Sequence, residues 1–383
     1  MNNPSRRSNR QDLLGSEILV LLGHGPLNRS EIAAQLGLGA ATVSEHTRRL
    51  LALGYVRELP AQVVGRGRPR VPLAVVPDAA YTLGLRIHPT HVVGVVLRLD
   101  GSEVRRLYLP FDPNDDPVEQ IVTACTDVLG EPAVGDRIRG IGIALPGIID
   151  PWTGTARLSP RLGWTNLPLG PMLSARLPVP VLVDNDTRAS TTAELLYGIG
   201  RDHDDFLTLA IGDGVGMGIV LDRRVHRGPD GLASEFGHVT LDLDGPACPC
   251  GKRGCVEAYV ADHALAAQAV AQGLATSPPT VAELHALAEA GNSGVRTLLH
   301  ASGAILGRAV AGVVNVLAVR AMTVIGESNI LWPYLAAGFT EAIDACVVLP
   351  LAELEVTVRP WDDSAHARGA ASLVLAAAIG ARR

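Results

Sequence analysis

At 383 residues, 47% hydrophobic and 19% charged, the chain is too long for one ordinary domain and too apolar for bulk disorder, which predicts two or three folded units. The first ten residues are polar and basic, and no run of about 18 apolar residues follows, so a soluble cytoplasmic protein with no membrane partner is expected. The net charge of −6 is polarised: residues 1–77 carry ten arginines against five acidic residues, a net of +5 on an acidic body, which suits an end that touches phosphates.

Gln11 to Leu22 places Leu13, Leu14, Ile18, Leu21 and Leu22 at helical spacing and stops at Gly23-His24-Gly25-Pro26. Asn28-Arg-Ser-Glu31 has the form of a capping box and opens a short helix with Ile32 and Leu36 inward. Gly37-Leu38-Gly39 breaks it. A third helix then runs from Ala40 to about Leu53, with Val43, Thr47, Leu50 and Leu51 on one face. Helix, glycine turn, helix is the helix-turn-helix pattern. The outer face presents Thr42 and Glu45 for base edges, and Arg48 and Arg49 for phosphates; a solvated amphipathic helix would read the same way. Val63 to Leu73 shifts the balance, because Gly65-Arg66 and Gly67-Arg68 between apolar runs predict a thin cationic hairpin, a wing with arginines suited to a minor groove, a flexible Gly- and Pro-rich linker being the other reading. The expected division is 1–77, a winged helix-turn-helix that binds a double-stranded DNA operator, and 78–383, the body.

From Tyr81 the pattern turns to strands: Tyr81 to Ile87, Val92 to Leu99 and, across Asp100-Gly101, Ser102 to Leu109. Asp116-Pro117 opens a helix, with Glu119 expected to close a box. Strands at 138–144, 179–183, 206–211, 322–325 and 354–358 alternate with helices at 189–197, within 263–318, near 332–345 and from His366, an α/β body in two lobes.

Three clusters stand out. His238 with Cys248, Cys250 and Cys255 spells H-x9-C-x-C-x4-C, the donor set of a closed tetrahedral zinc site within loop 238–257, structural because no position stays open for water. Five cysteines are too few for a disulfide framework in this length. Asp184-Asn185-Asp186 ends an apolar strand where ligands of parallel sheets sit; with Glu235, His238 and Glu257 it suits a polyhydroxylated ligand, helix capping being the other role open to Asp184 and Asp186. Gly212-Asp213-Gly214-Val215-Gly216-Met217-Gly218 lets backbone approach a phosphate or another strand.

Glu235-Phe-Gly-His238, the cysteine loop, Glu257, Asn185-Asp186, Leu145-Pro-Gly147 with Asp150, Ser159-Pro-Arg-Leu-Gly-Trp164 and Ala367 to Leu375 together resemble the repressor, open reading frame, kinase (ROK) family over essentially the whole chain. The resemblance implies an actin-like, ribonuclease H-like pair of lobes behind the winged helix. It implies sugar contacts from Asn185, Asp186, Glu235, His238 and Glu257, zinc on His238, Cys248, Cys250 and Cys255, and Asp186 in the place of the kinases' catalytic base. It also implies a homodimer or homotetramer. Kinases of the family begin the first lobe with Asp followed by Gly-Gly-Thr; here Arg86 replaces the acid, and His88-Pro89 replaces the glycines. Asp213 puts a further negative charge where a phosphate would lie. The expectation is therefore a sugar-responsive repressor without catalysis. An ATP-dependent sugar kinase carrying a DNA module, or a sugar-dependent protein-binding module, is the alternative.

Overall fold

The structure, a computed structural model, describes residues 5–61, 70–348 and 353–378. The chain divides into two compact units, residues 1–198 with 364–383, and residues 199–363.

The first unit begins with helices α1 (Ser5–Gly23), α2 (Arg29–Gln35) and α3 (Ala40–Ala52). The capping box forms as the sequence predicts: Asn28 Oδ1 accepts from the amides of Ser30 and Glu31, and Glu31 Oε2 accepts from the Asn28 amide at 2.8 Å. Gly37 turns the chain at φ 62°, a left-handed conformation that glycine adopts without strain. Val43, Thr47 and Leu50 face inward on α3. Strands β1 (Val56–Glu58) and β2 (Leu73–Val75) pair antiparallel, Glu58 opposite Leu73, on either side of the segment that the sequence reads as a wing. Arg66 and Arg68 lie outside the described residues. The core of this module is shared: Ile18, Leu19, Leu22, Ile32, Val43 and Leu50 cluster with Leu99, Leu196 and Leu375 of the body. Ser16 Oγ, buried, donates to the carbonyl of Leu375 at 2.7 Å.

The body of this unit starts with an antiparallel meander, β3 (Tyr81–Ile87), β4 (His91–Arg98) and β5 (Glu103–Pro110). Next come α4 (Pro117–Leu129), β6 (Ile138–Leu145), a small antiparallel sheet of β7 (Ile148–Asp150), β8 (Thr155–Ser159) and β9 (Trp164–Leu167), then α5 (Leu169–Ser174), β10 (Val181–Asn185) and α6 (Asp186–Tyr197). The main sheet runs β10-β6-β3-β4-β5, with β6 parallel to both β3 and β10. Asp116 caps α4, but Glu119 does not close a box; its carboxylate takes both Nη atoms of Arg176 at 2.8 and 3.1 Å, a partner that local spacing cannot reveal. Helix α6 begins three residues before the expected Ala189, because Asn185 caps it. The closing helix, Ala365–Ala378, packs on β3, β6 and α6. Gly142 of β6 admits it: a Cβ there would lie 1.8 Å from the carbonyl of Ala370.

The second unit repeats the plan. Strands β11 (Phe206–Ile211), β12 (Val215–Leu221) and β13 (Arg224–Val225) form the meander; α7 (Glu257–Val260), α8 (Asp262–Ala271), α9 (Val281–Glu289), α10 (Ser293–Leu317), β14 (Ala321–Ile325), α11 (Trp332–Cys346) and β15 (Glu355–Val358) follow. The order is β13-β12-β11-β14-β15, with β14 parallel to β11 and β15. A meander beside two parallel strands in both units is the ribonuclease H-like lobe of actin-like folds. Among the described residues α10 alone is long and apolar enough to cross a membrane by composition; its apolar face, Leu299, Leu306, Val310 and Val314, is buried in the core of this unit.

Candidate effector site and metal centre

In the first unit the site is built where β10 ends and α6 begins. The apolar strand carries Asp184 inward, and that carboxylate meets Arg188 Nε at 2.7 Å in a buried pair one helical turn apart. Arg188 Nη2 also donates to the carbonyl of Ile149 at 2.7 Å, so the charge is both paired and hydrogen-bonded, as burial demands. Asn185 is held on both sides: Oδ1 accepts from the Arg188 amide at 3.1 Å, and Nδ2 donates to the carbonyl of Gly147 at 3.1 Å. An amide has two donors and two lone pairs, so one N–H and one lone pair of Asn185 are left for a ligand hydroxyl. Asp186 occupies the first turn of α6, half-buried, with Oδ1 accepting from the Thr187 amide at 2.8 Å. Capping therefore belongs to Asn185, not to Asp184 or Asp186. Behind them lies His366 of the closing helix. Burial, reinforced by the Arg86 guanidinium, holds this imidazole well below its ordinary range, so it is neutral at pH 7.

The turn between β3 and β4 is His88-Pro89-Thr90. His88 and His91 rings stand 4.4 Å apart, and His91 stacks on Tyr108 at 4.7 Å.

In the second unit Gly212-Asp213-Gly214 is the turn between β11 and β12. A Cβ on Gly212 would lie 2.5 Å from the Glu327 carboxylate, so a second acid besides Asp213 borders this turn. Glu235 is exposed and begins the short 3-10 turn Phe236–His238. Glu257 opens α7, half-buried, and its Oε2 accepts from the Val215 amide at 3.2 Å.

His238, Cys248, Cys250 and Cys255 converge, with one donor atom from each within 4.8 Å of the others. Cys250 Sγ and Cys255 Sγ are 3.7 Å apart, and Cys248 Sγ lies 3.8 Å from His238 Nδ1. A tetrahedral zinc with sulfur bonds of about 2.3 Å has edges of about 3.8 Å, so the donor set fits such an ion. Gly251 and Gly254, at φ 86° and 65°, make the turns that bring the sulfurs together. This cluster could hold a metal ion. Burial raises the Cys248 and Cys255 thiols, so a bound cation must displace their protons.

On α3, Glu45 and Arg48 are exposed, and Thr42 and Arg49 are half-buried on the same outer side. Sequence reasoning missed Arg29, whose Nε donates to Thr47 Oγ1 of α3 at 3.2 Å and whose Nη2 pairs with Glu58 of β1 at 2.9 Å. It also missed His366 and the Asp184–Arg188 pair. Only the latter left a signal, the i, i+4 spacing of opposite charges, which surface pairs share.

Two ribonuclease H-like lobes with a three-cysteine, one-histidine loop, following a helix-turn-helix, mark a DNA-binding regulator with a sugar-kinase-like body. The chain belongs to the ROK family, which residues 82–377 match. Residues 16–58 match bacterial regulatory proteins of the arsR family. The xylose repressor of Bacillus subtilis is 30% identical over 261 residues, 67% of this chain and 66% of the repressor, so the chain matches just under two thirds of that relative's length. The glucokinase of Thermotoga maritima is 30% identical over 271 residues, 67% of this chain and 85% of the enzyme. A solved ROK family transcriptional regulator, described as a homologue of the E. coli MLC protein, superposes with a TM-score of 0.82 at 26% identity, covering 97% of this chain and 98% of its own.

Proposed function

We propose that this chain is a sugar-responsive transcriptional repressor. In this reading residues 1–77 bind the operator, and residues 78–383 sense the sugar. Asn185, Asp186, Glu235, His238 and Glu257 contact the effector's hydroxyls, and Thr42, Glu45, Arg48, Arg49, Arg66 and Arg68 contact DNA. A structural zinc on His238, Cys248, Cys250 and Cys255 cross-links the loop that carries His238 and precedes Glu257. The observation that carries the reading is the helix-turn-helix itself, with Glu45 and Arg48 exposed on α3 and its core continuous with a ROK body. Two such modules are needed for a two-fold operator, so a homodimer or homotetramer in the cytoplasm is the working assembly.

Catalysis is not part of this reading. Arg86, the neighbouring His88 and His91 rings, Asp213 and Glu327 crowd or charge the two turns that would cradle ATP phosphates. Asp186 remains because a carboxylate also binds a sugar hydroxyl. The likeness to glucokinases makes phosphorylation the second reading, and ADP release dependent on sugar is its test.

The experiment is selection of duplexes from a randomised DNA pool by the zinc-loaded protein, followed by anisotropy titration with and without D-xylose, D-glucose and their phosphates. A selected sequence whose affinity shifts with one sugar supports the reading. Arg66→Ala with Arg68→Ala should weaken that affinity without changing zinc content; unchanged affinity would remove the wing from the DNA contacts.

A further inference from the structure

We infer that His366 is a positioning residue which, through the close-packed pair of α6 and the closing helix, ties the effector turn Asn185–Asp186 to helix α1 of the DNA-reading module. This rests on the effector reading above for its purpose, though not for its geometry. His366 is 4% exposed, and its Nδ1 lies 2.7 Å from Ser190 Oγ, one turn into α6. Its ring also hydrogen-bonds the backbone of Asp186. The imidazole thus grips α6 at both residue 186 and residue 190. Three residues on, Gly369 lets the helices meet backbone to backbone: a Cβ there would lie 2.6 Å from the Ser190 nitrogen. The other side of the closing helix is just as close to the sheet, since Cβ atoms on Gly84 and Gly142 would strike the carbonyls of Ala367 and Ala370.

Nine residues past His366, about 13 Å along the helix axis, the carbonyl of Leu375 accepts from buried Ser16 of α1. Leu375 and Leu196, near the far end of α6, share a core with Ile18, Leu19 and Leu22 of α1. Both helices therefore run from the effector turn to the seat of the DNA-reading module. Helices packed this closely have no slack, so displacing one end moves the other. A histidine serving local stability alone would not have this reach.

The test is amide hydrogen exchange on the full-length, zinc-loaded protein. His366→Leu removes both hydrogen bonds, His366→Asn keeps a polar group near the Nδ1 position, and Ser16→Ala perturbs the opposite end with His366 intact. His366→Leu should speed exchange about tenfold at residues 16–23 of α1 as well as at 186–190, and His366→Asn should restore most of the protection. Coupling is reciprocal, so Ser16→Ala should speed exchange at 186–190. Changes confined to α6 and the closing helix in His366→Leu, or silence at 186–190 in Ser16→Ala, would overturn the inference. Should His366→Leu fail to fold, Ser16→Ala alone decides. Exchange is read without sugar or DNA, so intact coupling supports the inference even where the sugar titration fails.

Discussion

Ser234 sits beside Glu235 with φ 77°, a left-handed conformation that favours glycine, and its hydroxyl is buried without a hydrogen-bond partner. Both features cost stability next to a proposed effector contact. Ser234→Gly should therefore stabilise the protein by about 1 kcal/mol, read as a higher thermal midpoint. His366 makes stability depend on pH. Unfolded, it takes up a proton as pH falls through its ordinary value of 6.5, whereas the buried imidazole stays neutral. Its contribution is thus complete above that value and is lost as pH falls below it, at up to about 1.4 kcal/mol per pH unit. Urea titrations of wild type and His366→Asn between pH 7.5 and 5.5 should show the smaller slope in the variant; equal slopes would assign the acid sensitivity elsewhere.

At the scale of elements, glycines decide how near the closing helix lies to the sheet. A Cβ at Gly142 would be 1.8 Å from a backbone carbonyl, which no rotamer can relieve. Gly142→Ala should cost about 3 kcal/mol or more, seen as a lowered melting point or insoluble protein. From sequence, Gly142 in Ile138-Arg-Gly-Ile-Gly-Ile-Ala-Leu145 reads only as a weak spot in a strand. The helix that needs it begins 223 residues later. The capping box of α2 shows the contrary case, because every atom it needs lies within four residues. Glu119 fell between the two: its spacing suited a box, and a distant arginine with a bidentate fork took the carboxylate instead.

For the whole molecule, the metal loop and the DNA-reading module belong to different compact units. If the loop holds the proposed zinc, a chelator should loosen residues 238–257 and make the buried Cys248 and Cys255 thiols open to alkylation alongside exposed Cys250, while amides of α1 and β3 keep their protection. Loss of protection throughout would mean that the two units unfold together. The charge polarity of the chain also belongs to this scale, since it predicts operator affinity that falls steeply with salt.

The sequence by itself determined what depends on near neighbours. Helix periods, the capping box and the Asp100-Gly101 hairpin rest on spacings of a few residues, and the four donors that could hold a metal ion lie within one loop of the chain. The small sheet of β7, β8 and β9 escaped notice because its strands are short, whereas the alternating glycines from Gly212 to Gly218 did mark the strand-turn-strand of β11 and β12. What only tertiary structure decided is which polar groups are spent inside the protein and which are left for a ligand. Asn185 gives half its hydrogen bonds to a cap and to Gly147, Asp184 is consumed by Arg188, and His366 holds α6 from a helix 176 residues beyond Ser190. Partners so distant in the chain are chosen by packing, and packing is a property of the folded whole.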